Sequence, residues 1–271
     1  MFTQLKKIDY RPFKIGHIRK INKYANKFLL IILKTICFST ILFTKTSFTQ
    51  EDKAHWQKLK PGLLYKQYSH DELTPFAKLH VLEIDLDKIN LAYCLLNKKT
   101  TALESTLNSD AIVAFNGAFF SPSYSPIGLR ISKGNTLSNY KNISWWQIFS
   151  IENNHASINK YNELNKLKNI SFAIQSGPAL IVKNQIIKKL KKSYARRTAI
   201  GIKKNGHVIV VVTENTQITT TFLANFMNNK LQCEDALNLD GGGSTQLSIN
   251  LPNYQYQVIG LTQLPDAICL F

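Results

Sequence analysis

From residue 62 onward, short apolar runs alternate with polar turns, the period-two signature of β-strands. In His80-Val-Leu-Glu-Ile-Asp-Leu-Asp87, Leu82, Ile84 and Leu86 share one face while Glu83, Asp85 and Asp87 share the other. That alternation predicts a half-buried strand with solvent-facing acids. A strand is expected before it, near Gly62–Tyr68, and another after it, over Ile89–Leu96. Thr101-x-x-Glu104 has the form of a capping box opening a short helix that carries Ala102, Leu103 and Leu107. Ala111–Phe120 is an apolar strand broken by Asn116-Gly117, and the Ser121–Pro126 stretch that follows is no returning strand, so this Asn-Gly is not an ordinary hairpin turn. Pro126–Gly134 predicts a strand and then a turn. Phe172–Val182 repeats the design, with Gln175-Ser-Gly-Pro178 interrupting an apolar run. Ala199–Ile202 and His207–Thr213, joined by Lys203-Lys-Asn-Gly206, predict a hairpin. Thr219–Leu231 sets Leu223, Phe226, Met227 and Leu231 at helical spacing, a core-packing pattern. A final strand pair is expected in Val258–Phe271, around Leu264-Pro265.

Composition adds a division of the chain. With 44% hydrophobic residues among 271, a core is affordable. The net charge of +17 would point to nucleic acid if it were concentrated on a folded face. Instead, residues 1–50 hold ten Lys/Arg against one acid, a net +9, and the other +8 is spread along the chain. The run Lys188-Lys189-Leu-Lys191-Lys192 reads as a solvated basic face, and no nucleic-acid partner is expected. The basic start is followed by Phe28–Phe43, sixteen residues of an apolar run interrupted only by Lys34 and small polar groups, short for a membrane span and suited to a signal peptide. We therefore expect a basic N-terminus with a signal peptide or membrane anchor over 1–50, a linker and opening strand over 51–77, and a catalytic domain over 78–271. The protein is expected to be exported, periplasmic or extracellular, with an uncleaved N-terminal anchor as the alternative. Cys37 lies in the apolar segment. For Cys94, Cys233 and Cys269, one bridge with a thiol left over and three thiols are both allowed. The histidines show no zinc-hydrolase spacing, and nothing calls for a metal or another cofactor.

The chemistry concentrates in Ala236-Leu-Asn-Leu-Asp-Gly-Gly-Gly-Ser-Thr245. Consecutive glycines point to positive φ or to close approach of the backbone to a ligand. The amides of Gly241, Gly242 and Gly243, with the hydroxyls of Ser244 and Thr245, would form an anion nest beside Asp240. Asn116, with Gly117 after it, ends a buried strand where an amide would meet a polar ligand. Ser176 and Gly177 offer a second approach to the same ligand, and Arg197 a clamp for phosphate. Glu214, at a strand end, is a candidate second carboxylate. Trp145 and Trp146 would face opposite ways, with at least one in the core. Two enzyme classes drop out: no Lys follows the glycine loop as a phosphate-binding loop requires, and Gln246 stands where a serine-hydrolase elbow needs Gly.

In order, Asn116-Gly117-Ala-Phe-Phe120, Pro126-Ile-Gly128-Leu, Gln175-Ser-Gly-Pro178, Arg197-Thr-Ala-Ile-Gly201 and Leu239-Asp-Gly-Gly-Gly-Ser-Thr245 resemble the motifs of the phosphodiester glycosidase family. The resemblance covers about residues 78–271. With the strand pattern it implies an α+β fold, a single mixed α/β domain built on a largely antiparallel, half-buried sheet with a few helices. It also implies hydrolysis of a sugar-1-phosphodiester, such as an N-acetylglucosamine-1-phosphodiester, at the glycosidic C1–O bond. Asp240 would then be the carboxylate facing the oxocarbenium-like centre, Arg197 and the Gly241–Thr245 backbone would hold phosphate, and Asn116 would position sugar or phosphate. The alternative is a non-catalytic envelope protein that binds phosphorylated glycans.

Overall fold

The computed structural model describes residues 55–69, 76–94, 99–164 and 168–271, all within the compact unit Asp52–Phe271. The basic N-terminus and the apolar segment over 28–43 lie outside the described residues, as do positions 51–54 and 70–75 of the linker region. No helix among the described residues is long and apolar enough to cross a membrane.

In chain order the strands are β1 (Gln57–Lys60), β2 (Leu63–Ser69), β3 (Lys78–Ile84), β4 (Leu91–Cys94), β5 (Val113–Asn116), β6 (Arg130–Ser132), β7 (Asn135–Ser138), β8 (Gln147–Glu152) and β9 (His155–Asn159). They continue as β10 (Ile170–Ser176), β11 (Ala179–Val182), β12 (Gln185–Ile186), β13 (Thr198–Lys203), β14 (Val208–Glu214), β15 (Cys233–Asn238), β16 (Leu247–Leu251), β17 (Tyr254–Val258) and β18 (Ala267–Leu270). The helices α1 (Ala102–Leu107), α2 (Tyr161–Leu164) and α3 (Thr220–Asn225) are short. Three sheets result, ordered β1-β2-β3-β14-β13-β15-β11-β12, β7-β6-β10-β8-β9 and β17-β16-β5-β18-β4. The pairings along each sheet are antiparallel, which places the fold in the α+β class with few helices.

The half-buried sheet expected from β3 is corrected. Leu82, Ile84, Val208, Val210, Ile200 and Leu237 face a core to which all three sheets contribute. On the other side of the same strands, Leu79, Val81, Ile209, Val211 and Ala236 pack with Leu223 and Met227. A strand covered on both faces cannot keep an acid in water. Glu83 is accordingly buried, and it is accommodated by Lys203 Nζ at 3.1 Å and His207 Nδ1 at 2.8 Å rather than by solvent. β3 stops at Ile84 because the chain turns at Asp85, whose carbonyl accepts from Lys88 and Ile89.

The local signals behave as their chemistry dictates. Thr101 accepts from Glu104 N at 3.1 Å while Glu104 Oε2 accepts from Thr101 N at 2.8 Å, completing the capping box of α1. The β13–β14 hairpin turns through Gly206 at φ +86°. Thr219 caps α3 through Phe222 N, but the helix passes into a wider π-type turn over Phe226–Lys230. The strand pair expected around Leu264-Pro265 does not form. β18 instead inserts between β5 and β4, and β17 pairs with β16. Cys94 on β4 and Cys269 on β18 form a disulfide, leaving Cys233 as a buried thiol whose pKa burial pushes up to about 12.

Candidate functional site

β14 and β15 both flank β13 and run antiparallel to it, so their C-terminal ends meet the start of β13 at one edge of the sheet. Glu214, Arg196-Arg197 and Asp240 therefore stand side by side in space although they are dispersed in sequence. Backbone bonds fasten the edge: Leu239 N to Thr198 O at 2.9 Å, Gly242 N to Arg196 O at 2.9 Å and Thr213 N to Arg197 O at 2.9 Å.

A cavity of about 480 Å³ opens there, and Asp240, Arg197, Gly177, Gly241, Gly242 and Trp145 are among the residues that line it. Asp240 is half-buried, with Oδ1 accepting from Gly241 N at 2.8 Å. Burial lifts its pKa above the ordinary aspartate value; the Ser244 hydroxyl, the Gly241 amide and the charge of Arg130 pull the other way without cancelling the rise. Arg197 is the complementary charge. Nε donates to Ile218 O at 3.1 Å and Nη2 to Ser193 O at 2.6 Å, while its backbone amide donates to Thr213 Oγ1 at 2.7 Å. No carboxylate pairs with it among the described residues, so a lined, oriented guanidinium is left for an anion.

Other sequence candidates lie behind the wall rather than on it. Asn116 is completely buried and fully bonded: Nδ2 donates to Gly117 O at 3.1 Å and Asp240 O at 2.9 Å, while Oδ1 accepts from Thr198 Oγ1 at 2.6 Å and Gln246 N at 3.2 Å. It has no amide to offer a ligand; it holds the backbone of Asp240. Ser176 is buried likewise, donating to Asn238 O at 2.8 Å. Gly117 is pressed against the Asp266 carboxylate, where a side chain would collide. Gly177 does line the cavity, but the atoms that would meet a Cβ there are Trp146 Cδ1 at 2.6 Å and Trp145 Cε3 at 3.1 Å.

The anion nest is corrected as well. The Gly241 amide is taken by Asp240 Oδ1, that of Gly242 by Arg196 O, that of Ser244 by Gly241 O and that of Thr245 by Gly242 O. Gly243 alone of the five keeps an unpartnered amide among the described residues, and Gly243, Ser244 and Thr245 do not line the cavity. The glycines have internal reasons: a Cβ at Gly241 would lie 2.6 Å from Arg196 O, and Gly242 sits at φ +61°. The Ser244 hydroxyl bonds the Asp240 carboxyl and holds its pKa down against burial.

Glu214 is not the second carboxylate of this cavity. Its Oε2 accepts from His80 Nε2 at 3.0 Å and Tyr256 OH at 2.8 Å, and Tyr65 OH bonds His80 Nδ1 at 2.8 Å behind it. The His80 hydrogen bond is the main reason its pKa falls below the ordinary glutamate value.

Two features escaped sequence reasoning. Asp266 is buried, paired through Oδ2 with Arg130 Nε at 3.1 Å, and raised in pKa by burial, with the nearby charge of Asp240 adding to the rise. Its signal was faint, a single acid after Leu264-Pro265. Lys189 and Lys191 also line the cavity, so the lysine run is not merely a solvated face. Its alternation around the apolar Leu190 was the available clue. Among the described residues, no three His, Cys, Asp or Glu side chains are grouped to hold a metal. Trp146 is core and Trp145 exposed, but both precede β8 rather than lying in a strand, and their rings pack edge to face with centroids 5.8 Å apart instead of facing opposite ways.

A family model described as phosphodiester glycosidase matches residues 109–271. An uncharacterized Escherichia coli protein, YigE, is 30% identical over 154 residues, 52% of this chain and 60% of that one, so the chain spans under two thirds of that relative's length. Among solved structures, a hypothetical protein from Synechocystis superposes with TM-score 0.60 at 16% identity, over 80% of this chain and 63% of that one. The catalytic domain of zebrafish N-acetylglucosamine-1-phosphodiester α-N-acetylglucosaminidase, auto-inhibited by its pro-peptide, gives TM-score 0.61 at 19% identity over 80% and 85%. At such identities these likenesses establish the fold.

Proposed function

The chain belongs to the phosphodiester glycosidase family, and we propose that it hydrolyses a sugar-1-phosphodiester of the N-acetylglucosamine-1-phosphodiester kind at the Asp240 cavity. The observation that carries this reading is the convergence of one desolvated carboxylate and one carboxylate-free guanidinium, Asp240 and Arg197, on the same cavity.

In this reading Arg197 holds the phosphate through the nitrogen that its carbonyl partners leave open, and Asp240 faces the sugar carbon. The C1–O bond breaks with its electron pair leaving on the phosphate oxygen. A phosphomonoester is a good leaving group, so its charge needs a cation more than its oxygen needs an acid. The oxygen of water forms the new bond to C1 and gives up a proton, which the departing phosphomonoester dianion takes up, and free sugar is released. Asp240, as a carboxylate, offsets the positive charge that develops on the sugar ring. Desolvation strengthens that interaction at the same time as it raises the pKa. Asn116 and Ser244 act as positioning residues by fixing the backbone and tuning the carboxyl of Asp240. Trp145 supplies an exposed aromatic face at the mouth for a sugar ring.

We further place the protein outside the cytoplasm. The Cys94–Cys269 disulfide supports an oxidising compartment. The basic stretch followed by apolar residues 28–43 supports export, with or without retention of that segment. Recovery of the protein from the cytoplasmic fraction alone would overturn this placement.

The reaction is tested by incubating the protein with methyl N-acetylglucosamine-1-phosphodiester in heavy-oxygen water. Cleavage at C1 puts the heavy oxygen in the sugar. Heavy oxygen in the methyl phosphate would mean attack on phosphorus and sink the glycosidase reading.

A further inference from the structure

We infer that the substrate carries at least one further phosphodiester beyond the bond that is cleaved, held by the rim Lys188–Lys192; this rests on the reaction proposed above. The charge balance comes first. The cavity lining presents Lys189, Lys191 and Arg197 against the single carboxylate of Asp240. A sugar-1-phosphodiester brings one negative charge, which Arg197 alone answers. Lys188 and Lys192, both exposed, extend the surplus. Among the described residues the lysines in ion pairs are Lys88 and Lys203, so no carboxylate neutralises any of the four rim lysines.

A solvated lysine run normally relaxes its self-repulsion by moving, but this one is fastened. Leu190, between the two pairs, is buried in an apolar cluster with Leu180, Ile218 and Leu223. The carbonyl of Lys191 accepts from Thr220 Oγ1 at 2.7 Å, and that of Ser193 accepts from Arg197 Nη2 at 2.6 Å. The guanidinium that faces the scissile phosphate thus also anchors the rim, so the two cationic sites are joined by direct bonding. Four like charges within five residues, held at Leu190 and Lys191, raise the local potential, and an anion bound there relieves it. A repeated phosphodiester on the leaving-group side has the charge to do so. A chain of sugars joined through phosphodiesters is the substrate class that combines such charges with rings for Trp145.

The test uses two probes: methyl N-acetylglucosamine-1-phosphodiester, and the same sugar phosphodiester esterified to glycerol that bears a second methyl phosphodiester. We expect kcat/KM to be about tenfold higher for the two-phosphate probe at low salt, with the advantage shrinking as salt rises. In Lys189→Gln/Lys191→Gln the ratio falls to about one, and in Lys188→Gln/Lys192→Gln it falls part of the way. Equal kcat/KM for the two probes, or a ratio that persists in both variants, overturns the inference. Calorimetry on the Asp240→Asn protein must show the same preference in binding without turnover. If neither probe is hydrolysed by the native protein, the reaction reading fails while the binding ratio still decides the rim. Displacement of the two-phosphate probe by single-stranded oligothymidylate as readily as by unlabelled probe overturns a glycan substrate in favour of a general polyanion surface.

Discussion

Glu214 ends β14 and Asp240 follows β15 by two residues, at matching ends of the two strands that flank β13, and they finish in opposite electrostatic states. Glu214 meets a preformed set of donors, His80 and Tyr256, and is held below the ordinary carboxylate range. Asp240 meets the Ser244 hydroxyl, the Gly241 amide and a cavity, and burial outweighs both donors and raises it. Position at a strand end is shared, so position is not what makes one acid reactive. What differs is the balance between donors and burial: a carboxylate whose donors outweigh its desolvation is structural, and one whose desolvation outweighs its donors, beside a cation, is available for chemistry.

The sharpest way to break this contrast is to neutralise each acid in turn. Asp240→Asn is expected to lower kcat by about 10³-fold or more and to leave the urea midpoint equal or higher, because a desolvated charge has been removed. Glu214→Gln should leave kcat within a fewfold and cost about 1–2 kcal/mol of stability through weakened bonds to His80 and Tyr256. Turnover lost in the second variant and kept in the first would reverse the assignment. Next in size, Arg197→Gln should lower kcat/KM by about 10²-fold, whereas His80→Leu, which removes the donor on Glu214, should be read in the unfolding transition and hardly in the rate.

pH separates the same two acids. The folded pKa of Asp240 is raised, so turnover that needs its carboxylate is lost as pH falls through a value above the ordinary 3.8. Its contribution to stability, like that of Asp266, is present below the unfolded value and lost as pH rises through the raised one. Glu214 has the opposite sign: its lowered pKa stabilises the fold above the unfolded value, and that stability is lost as pH falls through the depressed one. A pH series of kcat/KM beside urea midpoints should therefore show an acid limb of activity that Glu214→Gln leaves in place and an acid-side stability loss that the same substitution reduces. Coincident limbs that both disappear in Glu214→Gln would refute the split.

The last comparison concerns the loop behind Asp240. Gly241→Ala must push a Cβ against the Arg196 carbonyl and is expected to cost about 1–3 kcal/mol along with activity. At Gly243 a Cβ meets Leu261 and Thr262 at ordinary contact, 3.6 and 3.7 Å, so Gly243→Ala should be near neutral in both assays. Equal damage at the two positions would restore a ligand-facing role to the whole glycine run.

Much of the fold was legible because strands announce themselves locally. The alternation in Lys78–Ile84, the Lys-Asn-Gly turn before β14 and the Thr101/Glu104 box each depend on neighbours within a few residues. The candidate site was legible where a residue's type alone limits its use: Asp240, Arg197, Gly177, Gly241 and Gly242 all reach the cavity. It was misread where a side chain's use depends on distant partners. Asn116 looked free because Thr198, Asp240 and Gln246, which occupy its amide, lie 82 to 130 positions away. Lys189 and Lys191 looked solvated because the Thr220 and Arg197 contacts that fasten their segment are far along the chain.

By itself, then, the sequence determined the strands, the caps and the inventory of acids, cations and glycines, because period, propensity and side-chain chemistry act over a few bonds. Only the tertiary structure decided which acid is desolvated, which amides are already taken, and that the β13 edge sets Arg197 beside Asp240. Those outcomes depend on which donors arrive from other strands, and burial and hydrogen bonding are properties of the assembled neighbourhood rather than of any residue in it.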